Sequence, residues 1–337
     1  MRLIRIPMRK TLSLFTIIFF VFGIFVYGKS GSNHSLEASL DKNGIVLGVS
    51  EEASNGEVDS NIEPQNNFLP SIVDENLPPT KNASSSEYNL KTGKAVVLDC
   101  KSGSTIYDKN STEKVAIASI TKLATALVFL KKNLSLDSVY EVKKEDRVEG
   151  GLLHLRTGDL VTIKDLLNLS LVSSDNMATM ALVSASDLSV KEFVIEMNLF
   201  AKENGLADTN FIDTIGLEQN LSTALDVAKL ANLAFANEVI AGIVAQDKYI
   251  FKTKNGREVI AKSTNILLDD EITDGIRVIG GKTGFTNSAG YCFVGKFVDD
   301  KNKNIISVIL DDSEKASRFY QAHNLAKWAF NNFSWNN

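Results

Sequence analysis

Ser119 and Lys122 stand three residues apart, a spacing that sets a hydroxyl and an amine one helical turn apart on the same face. A nucleophile beside a base is what acyl transfer needs. The spacing alone is a weak signal, because Ser39 with Lys42 and Ser111 with Lys114 match it equally. Context separates them. Ser39 lies in a polar tail and Ser111 among Asp108, Lys109, Asn110 and Glu113, whereas Ser119 opens an apolar stretch whose helix N-terminus would stabilise negative charge at the serine. Two more groups follow in order. Ser174-Asp175-Asn176 falls between two helical patterns, with Ser263/Asn265 and Ser334/Asn336 as chance competitors. Lys282-Thr283-Gly284 follows Gly280-Gly281 at the end of a strand pattern, and Lys91-Thr92-Gly93 repeats that triplet near the start of the domain. Only the series Ser119/Lys122, Ser174/Asn176, Lys282/Thr283/Gly284 runs in order through the folded part, each member in the setting its chemistry requires.

Histidine is scarce: His34, His154 and His323 are the three in 337 residues, His34 in the polar tail and His323 in a late amphipathic stretch. That argues against a Ser-His-Asp triad and leaves lysine as the base. His154 reads as structural. Cys100 and Cys292 are far apart with no metal-ligand spacing around either, so neither a metal nor a cofactor is expected. A net charge of -5 and a pI near 5.4 give no general basic surface, which disfavours a nucleic-acid partner.

These residues need elements to hold them. Residues 1–28 carry Arg2, Arg5, Arg9 and Lys10 ahead of an apolar run from Thr11 to Tyr27, an export signal. Its length lies between a secretory core and the roughly 20 residues of a membrane helix, so a cleaved signal and an uncleaved anchor both stay open. The positive-inside rule places the remainder outside the membrane in either case. Residues 29–86 hold nine acids, three basic residues and four of the five prolines, and read as a disordered acidic linker with a span of roughly 40 Å. Residues 87–337 form the expected catalytic domain. A strand over 94–99 with a hairpin partner over 104–107 opens it, and helices follow over 119–132, 162–172 (Thr162 as N-cap, Asp165 completing a capping box), 176–184, 191–204 and 223–236. Strand patterns return at 249–252, 259–260, 276–279, 291–297 and 305–310, and a helix over 317–330 closes the chain. Strands at both ends with helices between them predict an α+β domain whose sheet is built from the two termini, with an inserted helical subdomain.

With the ordered motifs, Ala118-Ser119-Ile120-Thr121-Lys122-Leu123, Ser174-Asp175-Asn176-Met177-Ala178, Gly216-Leu217 with Ser222-Thr223-Ala224, and Gly281 through Thr286 on to Ala289-Gly290-Tyr291-Cys292, the chain resembles the D-alanyl-D-alanine carboxypeptidases. These are low-molecular-mass penicillin-binding proteins that share a fold with serine β-lactamases. The resemblance runs from about Ala95 to the C-terminus. It implies that Ser119 attacks the carbonyl of the penultimate D-alanine of a peptidoglycan stem peptide, with Lys122 as base, and that β-lactams acylate the same serine. It further implies that Ser174 relays a proton, that Asn176 orients the substrate amide, and that Lys282 and Thr283 bind the terminal carboxylate. The N–H groups of Ser119 and Phe285 would form an oxyanion hole, and Gly284 would admit an extended peptide at the strand edge. Lys122 must then be neutral, and partial burial with the charge of Lys282 is expected to make it so. The resemblance also sets the strands of Cys100 and Cys292 one strand apart, too far to pair.

Two departures stand out: Ile117 replaces the family's usual proline, and the chain ends without the β-rich C-terminal domain and anchor of many relatives. Attachment to the outer face of the cytoplasmic membrane then falls to residues 1–28. Three rivals share the fold. A D,D-endopeptidase is chemically almost identical; a β-lactamase would need a deacylating carboxylate, for which Glu218 is the candidate in a non-matching loop; a β-lactam sensor would need tighter coupling to the membrane than the linker gives.

Overall fold

Alternation along residues 94–99 sends Ala95 and Val97 to one side and Val96 and Leu98 to the other, and all four are buried. A strand that is apolar on both faces must lie between two covering layers. The computed structural model, which describes residues 37–40, 46–50, 77–91, 93–148, 150–268 and 275–335, places it there. The strands are β1 (Lys94–Asp99), β2 (Thr105–Lys109), β3 (Arg277–Thr286), β4 (Gly290–Val298) and β5 (Asn304–Asp312), in one antiparallel sheet of order β3-β4-β5-β1-β2. The β5–β1 pair, Val308 opposite Val96, joins the two ends of the domain.

Among the described residues seven helices complete the layers: α1 (Thr121–Leu130), α2 (Ile163–Val172), α3 (Asn176–Ala185), α4 (Val190–Glu203), α5 (Ala224–Ala236), α6 (Glu238–Val244) and α7 (Ser317–Asn332). One face of the sheet packs Ala95, Val97, Phe293 and Ile309 against Phe319, Ala322, Leu325 and Ala329 of α7. The other packs Val96, Leu98, Val294 and Ile306 into the larger core of the helical subdomain. Within it, α1 is buried on nearly every side, from Thr121 to Phe129, as an apolar helix at the centre of a domain must be. The predicted capping box on α2 forms: Asp165 N donates to Thr162 Oγ1 at 3.1 Å and Thr162 N to Asp165 Oδ2 at 2.8 Å.

Three expectations change. The helix read over 119–132 begins as a 3-10 turn, Ala118–Ile120, before α1 starts at Thr121. The strand read over 276–279 runs on as β3 to Thr286, so Lys282-Thr283-Gly284 lies inside it. The linker reading of 29–86 also meets paired backbone. Strands Glu37–Leu40 and Val46–Ser50 pair antiparallel with each other. Separately, Thr80–Lys81 pairs with Phe333–Ser334, Trp328 Nε1 donates to Ser86 O at 2.9 Å, and Ser86 N donates to Asn332 Oδ1 at 2.8 Å. The catalytic domain therefore starts before residue 87. Residues 1–28 lie outside the described residues; among the described residues no single helix is long and apolar enough to cross a membrane.

A chain trimmed to begin at residue 77 should keep the thermal midpoint of the catalytic domain, while one beginning at 87 should melt several degrees lower. At about 2–4 °C per kcal/mol for a domain of this size, the lost strand pair and indole bond are measurable by thermal denaturation. Equal midpoints would show that residues 77–86 add nothing to the domain.

Candidate active site

The turn that carries Ser119 is held in a costly shape. Ala118 has φ 47, the left-handed region that costs a residue with a Cβ about 1–2 kcal/mol. Its neighbours leave no room for another path. A Cβ on Gly216 would sit 2.0 Å from Ala118 O, and one on Gly284 2.7 Å from Ile117 O, so both glycines are demanded by close approach to this turn. Ile117, at the position usual for proline, is fully buried and donates its N–H to Asn220 O at 3.1 Å, a bond proline cannot make.

One turn on, Lys122 is fully buried. Its Nζ lies 2.8 Å from Ser119 Oγ, 2.9 Å from Asn176 Oδ1 and 2.8 Å from Ile215 O. Burial lowers its pKa to about 7, against an opposing pull from the carboxylates of Asp213 and Asp175. The direction is the expected one but comes from burial, and the repulsion between the two lysines falls on Lys282 instead. Lys282 is also buried and is held well below the usual lysine range, first by burial, then by the charges of Lys122 and Arg318.

Ile215 belongs to a loop tied to itself. The carboxylate of Asp213 accepts N–H bonds from Ile215, Gly216, Leu217 and Glu218 at 2.6–3.1 Å, and Asn220 Nδ2 bridges Asp213 Oδ1 to Thr121 Oγ1. The loop thus presents one carbonyl to Lys122 at a fixed position.

Across the cleft, Ser174 is a second left-handed residue, φ 60, just ahead of α3. Its Oγ accepts from Lys282 Nζ at 2.8 Å, and Lys282 also donates to Thr283 O at 3.0 Å. Thr283 Oγ1 donates to Thr264 Oγ1 at 2.6 Å. Asn176 uses its other amide atom, Nδ2, to donate to Gly150 O at 3.0 Å, which fixes Oδ1 toward Lys122. Ser119, Ser174, Asn176, Thr283, Gly284 and Phe285 line one cleft of about 390 Å³, with Lys122 and Lys282 bonded to its wall. All eight residues singled out in the sequence meet here. Phe285 stands half exposed at the rim, stacked on Tyr291 with ring centroids 4.3 Å apart.

Among the described residues, the competing Ser111 does not reach the cleft. Ser111 is buried with its hydroxyl on Asp108, away from the cleft lining. Glu218, the candidate deacylating carboxylate of a β-lactamase, is exposed and does not line the cleft. Cys100 and Cys292 are free thiols, pushed up to about 12 and about 11 by burial; Cys100 lies in the turn just after β1 and Cys292 on β4, with β5 between those two strands. Ser263 of the Ser263/Asn265 competitor does line the cleft, but it donates nothing to either lysine; its Oγ accepts from Asn265 N at 3.1 Å.

Sequence reasoning missed Arg318. It lies on α7 beside Thr283 and Gly284, donates Nη1 to Gly284 O at 2.8 Å and Cys292 O at 3.2 Å, and stacks over the rings of Tyr291 and Phe319. Its Nε has no hydrogen-bond partner among the described residues. The signal was present: Arg318 shares the phase of Ala322, Leu325, Ala326 and Ala329, and a cation at a core position of a helix needs a reason to be there.

The sequence profile of peptidase family S11, D-alanyl-D-alanine carboxypeptidase, matches residues 80–314. A D-alanyl-D-alanine endopeptidase of Pseudomonas aeruginosa is 30% identical over 255 residues, 74% of this chain and 81% of that one. D-alanyl-D-alanine carboxypeptidase DacF of Bacillus subtilis is 29% identical over 259 residues, 74% of this chain and 64% of that one. The crystal structure of the Streptomyces K15 DD-transpeptidase superposes with a TM-score of 0.67 at 29% identity, covering 73% of this chain and 99% of the other. The fold is that of the DD-peptidases, and the chain belongs to the D-alanyl-D-alanine carboxypeptidase family of serine peptidases.

Proposed function

We propose that this protein is a D-alanyl-D-alanine carboxypeptidase acting on peptidoglycan stem peptides outside the cytoplasmic membrane, attached through residues 1–28 or released if they are cleaved. The observation that carries the reading is the partner set of Lys122. A neutral amine has two N–H donors and one lone pair. Asn176 Oδ1 and Ile215 O can only accept, so they take both donors and leave the lone pair for the one partner able to donate, the Ser119 hydroxyl. That is a base aimed at a nucleophile.

Ser119 Oγ attacks the carbonyl carbon of the penultimate D-alanine while its proton passes to Lys122 Nζ. The N–H groups of Ser119 and Phe285 hold the oxyanion. When the peptide bond breaks, the proton is delivered through Ser174 Oγ to the leaving amine, and D-alanine departs. Water then attacks the ester, returns its proton to Ser119 Oγ and frees the shortened peptide. Lys282, Thr283 and Arg318 bind the substrate carboxylate, and Gly284 lets the peptide lie along the edge of β3. That carboxylate supplies the counter-charge that Lys282 lacks in the free protein. Positive charge held on Lys282 by that carboxylate in turn opposes protonation of Lys122, so binding itself favours the reactive form. A β-lactam enters the same path and stays as an ester on Ser119.

A second reading is a D,D-endopeptidase that cuts crosslinks. The proteins of P. aeruginosa and Escherichia coli at 30% identity carry that name, and half-exposed Leu217, Ile266 and Phe285 with exposed Leu152 make a rim longer than a terminal dipeptide needs. Incubation with a pentapeptide and with a crosslinked dimer separates the two: free D-alanine marks the first, monomer the second, and neither product would refute both.

Ser119→Ala should abolish covalent penicillin labelling, and mass spectrometry should place the wild-type adduct on Ser119. Lys122→Ala should lower the acylation rate by about 10²–10⁴-fold even at saturating penicillin. Acylation efficiency at low penicillin should rise with pH and reach half its plateau near about 7, because the base is competent only above its pKa. A flat profile from acid to alkaline pH would remove Lys122 as the base. Arg318→Gln should raise KM for a D-alanine-terminated peptide by about 10–100-fold with a smaller change in kcat, the cost of one charged hydrogen bond.

A further inference from the structure

Residues 150–155 border the cleft, with Gly151 and Leu152 in its lining, and they are tied to the catalytic turn at two points. At one end Gly150 O accepts from Asn176 Nδ2 at 3.0 Å. At the other, His154 donates both its backbone N–H, at 2.7 Å, and its ring Nδ1, at 2.9 Å, to the same oxygen, Asp175 Oδ2. Asp175 has no exposed surface, and its other oxygen caps α3 by accepting Ala178 N at 2.9 Å. A carboxylate accepts only, so the imidazole proton lies on Nδ1. Behind the loop, Arg257 Nη2 donates to His154 O at 2.9 Å while pairing with Asp159. Close to this clamp in sequence, Gly150 and Asn176 share the bond that sets where the amide of Asn176 points.

We propose that His154 is a positioning residue for acylation: its ring locks the cleft-bordering loop to Asp175, and the locked loop holds Asn176 Oδ1 on Lys122 Nζ. This rests on Lys122 being the base. If Asn176 turned its amide, an N–H would face Lys122, the amine would lose an acceptor, and its lone pair would no longer be committed to Ser119. The role is one of orientation, so it belongs to the chemical step rather than to binding.

The test uses the full-length protein and measures the acylation rate constant and the dissociation constant of the initial penicillin complex separately. His154→Leu fills the space without a donor; His154→Asn restores an N–H near the place of Nδ1. His154→Leu should slow acylation about 10-fold, the range of one charge-assisted hydrogen bond, with the dissociation constant within about 3-fold of wild type. His154→Asn should recover most of the rate, with both thermal midpoints alike. Wild-type acylation by the leucine variant would overturn the proposal, as would equal slowing in both variants or a loss confined to binding. Those failures leave Ser119 as the labelled residue in the wild type; an adduct surviving in Ser119→Ala would instead refute the reading on which the proposal rests.

Discussion

A lysine amine cannot be buried cheaply, and the burial of Lys122 sets what the surrounding elements must do. Removed from water, the amine needs oxygen partners on every side, and they come from three places in the chain: the turn before α1, the start of α3 and the loop around Ile215. Each contributor is fixed by its own bonds, Asn176 by Gly150 O and Ile215 by the N–H bonds converging on Asp213. The left-handed Ala118 and the approach of Gly216 and Gly284 to it are the backbone adjustments that bring these pieces within bonding distance. Loss of solvation lowers the affinity of the amine for a proton, so the same burial that makes the site hard to assemble makes the base available near neutral pH.

The second lysine follows a different logic. Lys282 has Ser174 and a backbone carbonyl as partners, and it lies in a field to which Arg318 adds positive charge. Cations gathered in a dry wall are unfavourable until an anion arrives. Under the proposed function, selectivity for a carboxylate-ended peptide follows from electrostatics, and the polar pair Thr283–Thr264 extends the same wall with neutral groups.

Much of this was legible in the sequence because the signals were periodic or ordered. The unbroken apolar run at 95–98, the capping box at Thr162 and Asp165, and the order of the three motifs led to β1, α2 and the cleft. What stayed hidden has physical causes. Pairings of two residues, such as Thr80–Lys81 with Phe333–Ser334, are too short to show a period. Carbonyls such as Ile215 O and Gly150 O belong to no residue type, and their roles exist only once the backbone is in place. Arg318 was visible as a cation in a core phase but was read as part of an amphipathic face. Ser119 sits on a 3-10 turn rather than in the α-helix because Ala118 leaves the right-handed region, which composition does not announce.

The seam between β1 and β5 bears on how the chain acquires this structure. Val96 meets Val308 across the middle of the sheet, so more than half of the polypeptide lies between two neighbouring strands. Contacts of such sequence separation raise the entropy that must be overcome before any pairing is rewarded, and they slow folding. As the ribosome delivers the chain from its N-terminus, β1 and β2 can form only a hairpin until the covering helices and β5 have been made. Ser119 and Lys122, the proposed nucleophile and base, are synthesised early. Yet Gly284, whose strand closes the space beside Ser119, follows only after all six helices α1–α6, so the proposed site cannot assemble until β3 has been made.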